Sequence, residues 1–283
     1  MELNCGVFRL CAFADEAAAD RAGQIRALRD NRMSLLEIRN VDGENVSALS
    51  PEKARIIRRR MDDAGLAVWS IGSPLGKADI TDDFYKQTEM LKCMLEIADI
   101  LGAAHLRLFS FYTPETDRDA WRDVVLERLG TFTEIARGSG VMLCHENEKG
   151  IFGDTAASCA ELHRALPALH AVFDPANFVQ CREDAAAAWR LLRPYVRYLH
   201  IKDAQPDGSV VPAGCGAGHI PEILADYAAR GGAAVTLEPH LAEFVGLSAL
   251  ERAGSTSRIG EVFQYPTAEA AFTAAADALR KLL

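Results

Sequence analysis

The chain has 283 residues, 49% hydrophobic and 25% charged, the composition of a globular protein with room for one large α/β domain or two small ones. With 31 Lys+Arg against 40 Asp+Glu the formal net charge is −9. Nucleic acid is therefore a disfavoured partner, because binding a phosphate backbone depends on basic side chains that release counterions. No run approaches the ~18 apolar residues of a membrane helix, and Met1-Glu2-Leu3-Asn4 has no cationic stretch leading into an apolar one, so the expectation is a cytoplasmic protein with no membrane partner.

Along the chain, short apolar runs recur eight times, each followed by a longer segment of helical periodicity. Strands are expected near residues 8–14, 34–39, 66–72, 104–111, 141–147, 170–174, 196–202 and 233–238. The segments between them carry helix boundary signals. Ser50 can cap a helix that starts at Pro51 and ends at Gly65. Thr81 precedes the run Phe84, Leu91, Met94, Leu95 and Ala98, which stops at Gly102, and Leu279, Leu282 and Leu283 close the last helix. No Pro/Gly/Ser linker or composition shift divides the chain, so one domain spanning 1–283 is expected. Eight strand-helix units at this length fit a single parallel (β/α)₈ TIM barrel better than an open doubly wound sheet.

The seven cysteines (Cys5, Cys11, Cys93, Cys144, Cys159, Cys181 and Cys215) are odd in number and scattered, with no CxxC pair. A disulfide framework or thiolate zinc site is not expected, and all seven read as small structural hydrophobes.

Barrel function collects at the C-terminal ends of the strands. Here the strands begin apolar and end polar, as in Leu143-Cys144-His145-Glu146-Asn147-Glu148, Val172-Phe173-Asp174, Leu199-His200-Ile201-Lys202-Asp203 and Val235-Thr236-Leu237-Glu238-Pro239-His240. Alternation puts Glu146 and Glu148 on one face and His145 on the other, and likewise pairs His200 with Lys202 and Glu238 with His240. Four consecutive strands thus offer Glu146, Asp174, His200 and Glu238 at one level. Three carboxylates and an imidazole suit one divalent metal ion, Mn²⁺, Mg²⁺ or Co²⁺, with Zn²⁺ also compatible. Without a cation, such crowded carboxylates would repel and raise one another's pKa.

Glu146-Asn147, Phe173-Asp174-Pro175-Ala176-Asn177, His200-Ile201-Lys202-Asp203, Gly214-Cys215-Gly216-Ala217-Gly218 and Leu237-Glu238-Pro239 occur in this order over most of the chain. The set resembles the successive signatures of the xylose-isomerase-like sugar phosphate isomerase/epimerase superfamily. The resemblance implies a metal held by Glu146, Asp174, His200 and Glu238, with Glu146 and Glu238 also acting as catalytic acid and base on a small carbohydrate. Such chemistry removes a proton beside a carbonyl and stabilises the resulting enediolate with the metal. Isomerase or epimerase activity is expected, with an inosose-type or other keto-polyol dehydratase as the alternative, because dehydration begins with the same enolate. Ketose 3-epimerases commonly carry a His where Asn177 stands and an Arg soon after the His ligand, where this chain has Ala204-Gln205-Pro206-Asp207. The endonuclease branch also needs a histidine at the Asn177 position. A non-catalytic sugar binder would have no need of two opposed carboxylates.

Candidate substrate-binding residues are Arg107, Glu148, Asn177, Lys202 and His240, weighed against mutual pairing of Arg107 with Glu148 and a counter-charge role for Lys202. Glu37 and Arg39 are expected to satisfy each other, and His145, His163 and His170 to be structural. Asp207-Gly208 signals a hairpin. The GCGAG run, spaced GxGxG, fits a tight loop over the site better than a nicotinamide fingerprint. Residues 241–265, with Phe244, Leu247, Leu250 and Phe263, form the longest connection, either a lid over substrate or a docking segment for a second subunit of a homo-oligomer.

Overall fold

The computed structural model describes residues 8–114, 118–245, 247 and 258–283; Cys5 and Leu250 lie outside them. Eight parallel strands close into a barrel: β1 (Arg9–Ala12), β2 (Leu35–Ile38), β3 (Ala67–Gly72), β4 (His105–Leu108), β5 (Met142–Glu146), β6 (His170–Phe173), β7 (Val196–Ile201) and β8 (Ala234–Leu237). Each strand pairs with its sequence neighbours, and β8 returns to β1 through Arg9 opposite Ala234 and Ala12 opposite Leu237. The expected (β/α)₈ TIM barrel is therefore the fold.

The strands are shorter than the apolar runs, for a physical reason. After β1 the chain turns at once into a short helical turn, Ala14–Glu16. After β4, the Phe109 N–H leaves the ladder and donates to the Leu75 carbonyl at 2.8 Å. Alternation along the strands sorts the side chains. Leu36, Ile38, Leu106, Leu108, Leu143, Leu199, Val235 and Leu237 pack outward into the main core. Cys11, Leu35 and Ala234, and likewise Cys144, Val172 and Tyr198, form small apolar clusters of their own.

The helix Pro51–Asp63 is capped by Ser50 as its sequence predicts, with Oγ accepting from the Lys53 N–H. The helix Phe84–Leu101 begins later than Thr81: Asp83 is its cap, accepting from the Tyr85 N–H, and Gly102 ends it in the left-handed conformation. The last helix, Ala268–Arg280, includes Leu279 but stops before Leu282 and Leu283. Two hairpins decorate the C-terminal rim. One pairs Asn40–Val41 with Glu44–Asn45; the other, predicted from Asp207-Gly208, pairs Asp203–Ala204 with Val210–Val211. Among the described residues no helix is long and apolar enough to cross a membrane. All six described cysteines are free thiols. Cys11, Cys144 and Cys159 are buried as expected, whereas Cys93 and Cys215 are exposed and do not serve as core hydrophobes.

Candidate metal centre and active site

At the C-terminal mouth, one ligand atom from each of Glu146, Asp174, His200 and Glu238 lies within 4.8 Å of the others, and all four residues are buried. Local structure positions them. Asp174 follows β6 and caps the helix Pro175–Gln180, its Oδ1 accepting from the Asn177 N–H at 3.0 Å, which leaves Oδ2 turned toward the cluster. Asn147 holds the same junction, donating to the Asp174 carbonyl and accepting from the Asp174 N–H, both at 2.9 Å.

His200 stands at the centre. Its Nδ1 is 2.8 Å from Glu146 Oε1 and 3.2 Å from Glu238 Oε2, while Nε2 is 3.2 Å from Glu37 Oε2. A carboxylate behind one ring nitrogen favours a proton there, leaving the other nitrogen to face a cation. Glu37 also accepts from Tyr198 Oη at 2.8 Å, Thr236 Oγ1 at 2.9 Å and Ser70 Oγ at 3.3 Å. The expectation that Glu37 and Arg39 satisfy each other is therefore corrected. Glu37 sits one level lower in the bore, among hydroxyls and His200. Arg39, beyond the end of β2, reaches Asp15 at 2.9 Å, Glu16 at 3.1 Å and Glu238 Oε1 at 3.0 Å. The rings of Phe13 and Phe244 lie 4.3 and 5.1 Å from its guanidinium. Phe244, from the long connection, thus packs against a residue of the site.

Arg107 and Glu148 do not pair with each other either. Arg107 Nε lies 3.3 Å from Glu146 Oε2, and Glu148 is engaged by Lys77 Nζ at 2.8 Å, because the loop after β3 carries Lys77 over that side of the mouth. Lys202 Nζ is 2.9 Å from Asp174 Oδ2 and 3.6 Å from Glu238 Oε2. Asn177 is adjacent to the cluster; its Nδ2 donates to the Asn147 carbonyl at 2.9 Å, while its Oδ1 is buried and accepts no hydrogen bond. His240 is placed by a left-handed turn rather than by strand alternation, with φ at 48° and Nε2 3.4 Å from Glu16 and 3.5 Å from Glu238. His145 and His163 face away from the bore, against Ser110 Oγ and the Leu169 carbonyl, each at 3.0 Å.

The electrostatics follow from this crowding. Burial lifts the Asp174 carboxyl to about 6; Lys202 opposes the rise, and Glu238 and Glu146 add to it. Burial would also lift Glu238, but Lys202, His200 and His240 outweigh it and hold that carboxyl well below its usual range. For His200, desolvation disfavours the charged ring, yet Glu146 and Glu37 hold its pKa well above that of a free imidazole. Asp174 Oδ2 and Glu238 Oε2 are buried and converge on the cluster, where Lys202 Nζ at 2.9 and 3.6 Å and, for Glu238, His200 Nδ1 at 3.2 Å are the positive groups facing them. A divalent cation would satisfy both oxygens and offset the burial, and the lesser repulsion, that raise Asp174, so the donor set fits a hard or borderline metal. Glu16, Glu238 and His240 form a second ligand-like group. There Arg39 already supplies the positive charge.

Sequence reasoning missed Asp15, Glu16 and Lys77, and it named Asn147 only as part of the Glu146-Asn147 signature, without its role at the Asp174 junction. The GCGAG run forms the tight loop its spacing predicts, and it closes on the chain's own Asp203: the N–H groups of Gly214, Gly216 and Gly218 donate to that carboxylate at 2.9, 3.0 and 2.9 Å. The glycines are needed for this approach, since a Cβ on Gly216 would fall 2.4 Å from Asp203 Oδ1.

The family model described as the xylose isomerase-like TIM barrel matches residues 33–240. Among solved structures, the IOLI protein with a binding zinc atom superposes with a TM-score of 0.74 at 14% identity, over 97% of this chain and 98% of that one. The probable 3-DHS dehydratase AsbF, involved in petrobactin synthesis in Bacillus anthracis, gives 0.73 at 17% identity, over 96% and 98%. D-psicose 3-epimerase with D-tagatose, from Clostridium cellulolyticum H10, gives 0.70 at 16% identity, over 98% and 99%. No curated protein matches the sequence. With a family match over more than half its length and the closed eight-stranded barrel that match requires, the chain belongs to the xylose isomerase-like TIM barrel family.

Proposed function

We propose that the protein is a divalent-metal-dependent isomerase or epimerase of a small sugar or sugar derivative, working by proton abstraction beside a carbonyl. The observation that carries this reading is the placement of Glu146 and Glu238 on either side of His200 Nδ1, at 2.8 and 3.2 Å, with Asp174 completing the ligand set. Glu146, Asp174, His200 and Glu238 would hold the cation, which when bound supplies positive charge to the carbonyl and hydroxyl oxygens and so stabilises an enediolate. One glutamate takes the proton from carbon and the other returns one, to the adjacent carbon or to the opposite face. Arg107 Nε, 3.3 Å from Glu146, and His240 Nε2, 3.4 and 3.5 Å from Glu16 and Glu238, make only long contacts to those carboxylates and can also donate to the oxygens of a neutral substrate. Phe244, packed against Arg39 and His240, covers one side of the site and helps keep water from the carbanion.

Dehydration of a keto-polyol shares the first proton transfer, and the fold likeness to a probable dehydratase keeps that reaction as the second reading. Structural neighbours of both kinds act on small molecules, and the mouth's run of carboxylates suits a hydroxylated ligand far better than a phosphate backbone. The test is solvent deuterium exchange into a panel of ketoses and keto-inositols, followed by NMR. Exchange is expected with Mn²⁺, Mg²⁺ or Co²⁺ and lost after chelation. Exchange undiminished in metal-stripped protein would overturn the reading.

A further inference from the structure

We propose that the site selects an uncharged polyhydroxylated ketone and rejects phosphorylated or carboxylated counterparts. This rests on the enolising function above and adds to it the charge class of the substrate.

The first support is the charge balance. Each buried or nearly buried cation at the mouth is already held by carboxylates. Arg39 is shared by Asp15, Glu16 and Glu238; Arg107 faces Glu146; Lys202 faces Asp174 and Glu238; and Lys77 faces Glu148. With Glu37 on His200, seven carboxylates meet four Arg and Lys side chains, the imidazoles of His200 and His240 being counted as neutral, as a metal ligand and a hydrogen-bonding ring. A divalent ion reduces the deficit to one negative charge, and Lys149, beside Glu148 in sequence, could only bring it to zero. Among the described residues Arg39, Arg107, Lys77 and Lys202 thus already face carboxylates of this chain, which an anionic substrate would have to displace. A phosphate brought into this space would meet repulsion strengthened by burial. Hydroxyl groups would meet acceptors in abundance, and donors on Arg107 and His240.

The second support is independent of the first and lies in the backbone. In barrels of this kind phosphate is frequently cradled by main-chain N–H groups in the loops after the seventh and eighth strands. Here the loop after β7 has such a cradle, but Asp203 fills it. Gly214, Gly216, Gly218 and Ala204 all direct their N–H groups to that carboxylate, at 2.9 to 3.0 Å. The nest that could bind an anion is saturated from within. Among the described residues, a negative substrate group would find these four side-chain cations paired and the nest of the loop after β7 filled.

The test compares neutral ketopentoses, ketohexoses and keto-inositols with their monophosphates. Mn²⁺-loaded protein is used for deuterium exchange, and calorimetric titration with inorganic phosphate provides a readout that does not depend on turnover. A neutral compound should exchange with a kcat/KM roughly tenfold or more above that of its phosphate ester. Inorganic phosphate should show no saturable binding in the millimolar range. Faster exchange of a phosphate ester, or saturable phosphate binding that slows exchange of the neutral sugar, overturns the inference while leaving the enolising function in place. Exchange from neither class sinks that function, and this inference with it.

Discussion

His145 and Glu146 are neighbours on β5, both nearly inaccessible to solvent, yet they lie in two regions whose burial is compensated in opposite ways. Glu146 enters the bore, where Arg107 and His200 surround it with charge. His145 enters the layer between strands and helices, where it has Ser110, the ring of His163 and no carboxylate partner, and burial drives its pKa well below the usual value. The layer minimises charge and so stabilises the barrel. The bore concentrates charge and holds it with opposing charge, an arrangement that costs desolvation and stabilises little. Arg197 and His105 meet at the opposite end of the barrel, but the cluster of buried carboxylates lies at the C-terminal mouth, which makes that end the candidate site.

The largest effect that would break this contrast lies in the bore. Glu146→Gln and Glu238→Gln should each lower deuterium exchange by about 10²- to 10⁴-fold, while circular dichroism and the thermal midpoint show a folded barrel. Unchanged exchange in either variant removes that residue from the acid-base pair.

A smaller effect should appear one level deeper. In Glu37→Gln a neutral amide replaces the carboxylate at His200 Nε2, so the charge that holds a proton on that nitrogen is lost. That would favour a proton on Nδ1, the nitrogen that faces Glu146 and Glu238. Mn²⁺ affinity, measured by calorimetry, should fall about 10- to 100-fold. An affinity equal to that of the unaltered protein would show that Glu37 does not set the tautomer.

The difference between these regions also explains what could be read from the sequence. The layer was legible because apolar alternation and helix caps are local: Ser50, Pro51 and Gly102 mark boundaries that the fold respects. The four candidate ligands were legible because each ends an apolar strand with a polar group on a common face. Their partners were not, because alternation gives a direction and not a contact. Arg39 and Glu37 share a face of β2, but the residues that satisfy them come from the loop after β1 and from β3, β7 and β8. Asp203 was overlooked because its acceptor role depends on glycines 11 to 15 residues away. The Asp42-Gly43 hairpin after β2, by contrast, carried a local signal that was open to reading.

The smallest effect sharpens the contrast from the layer's side. His163 is buried against the Leu169 carbonyl, and burial lowers its pKa to about 4, with His170 adding a little. In the unfolded chain an imidazole titrates near 6.5. Between these values the unfolded chain binds a proton that the folded chain refuses, so stability is lost as pH falls from about 6.5 to about 4 and is unaffected above that window. The His163→Gln variant lacks this linkage. Urea titrations of the two proteins across the window should therefore give slopes that differ by roughly 1.4 kcal/mol per pH unit, the unaltered protein being the steeper. Carboxylates that also titrate at the acid end are common to both proteins and cancel in the difference. Parallel slopes would mean that His163 is protonated in the folded state, and that the layer tolerates charge as the bore does.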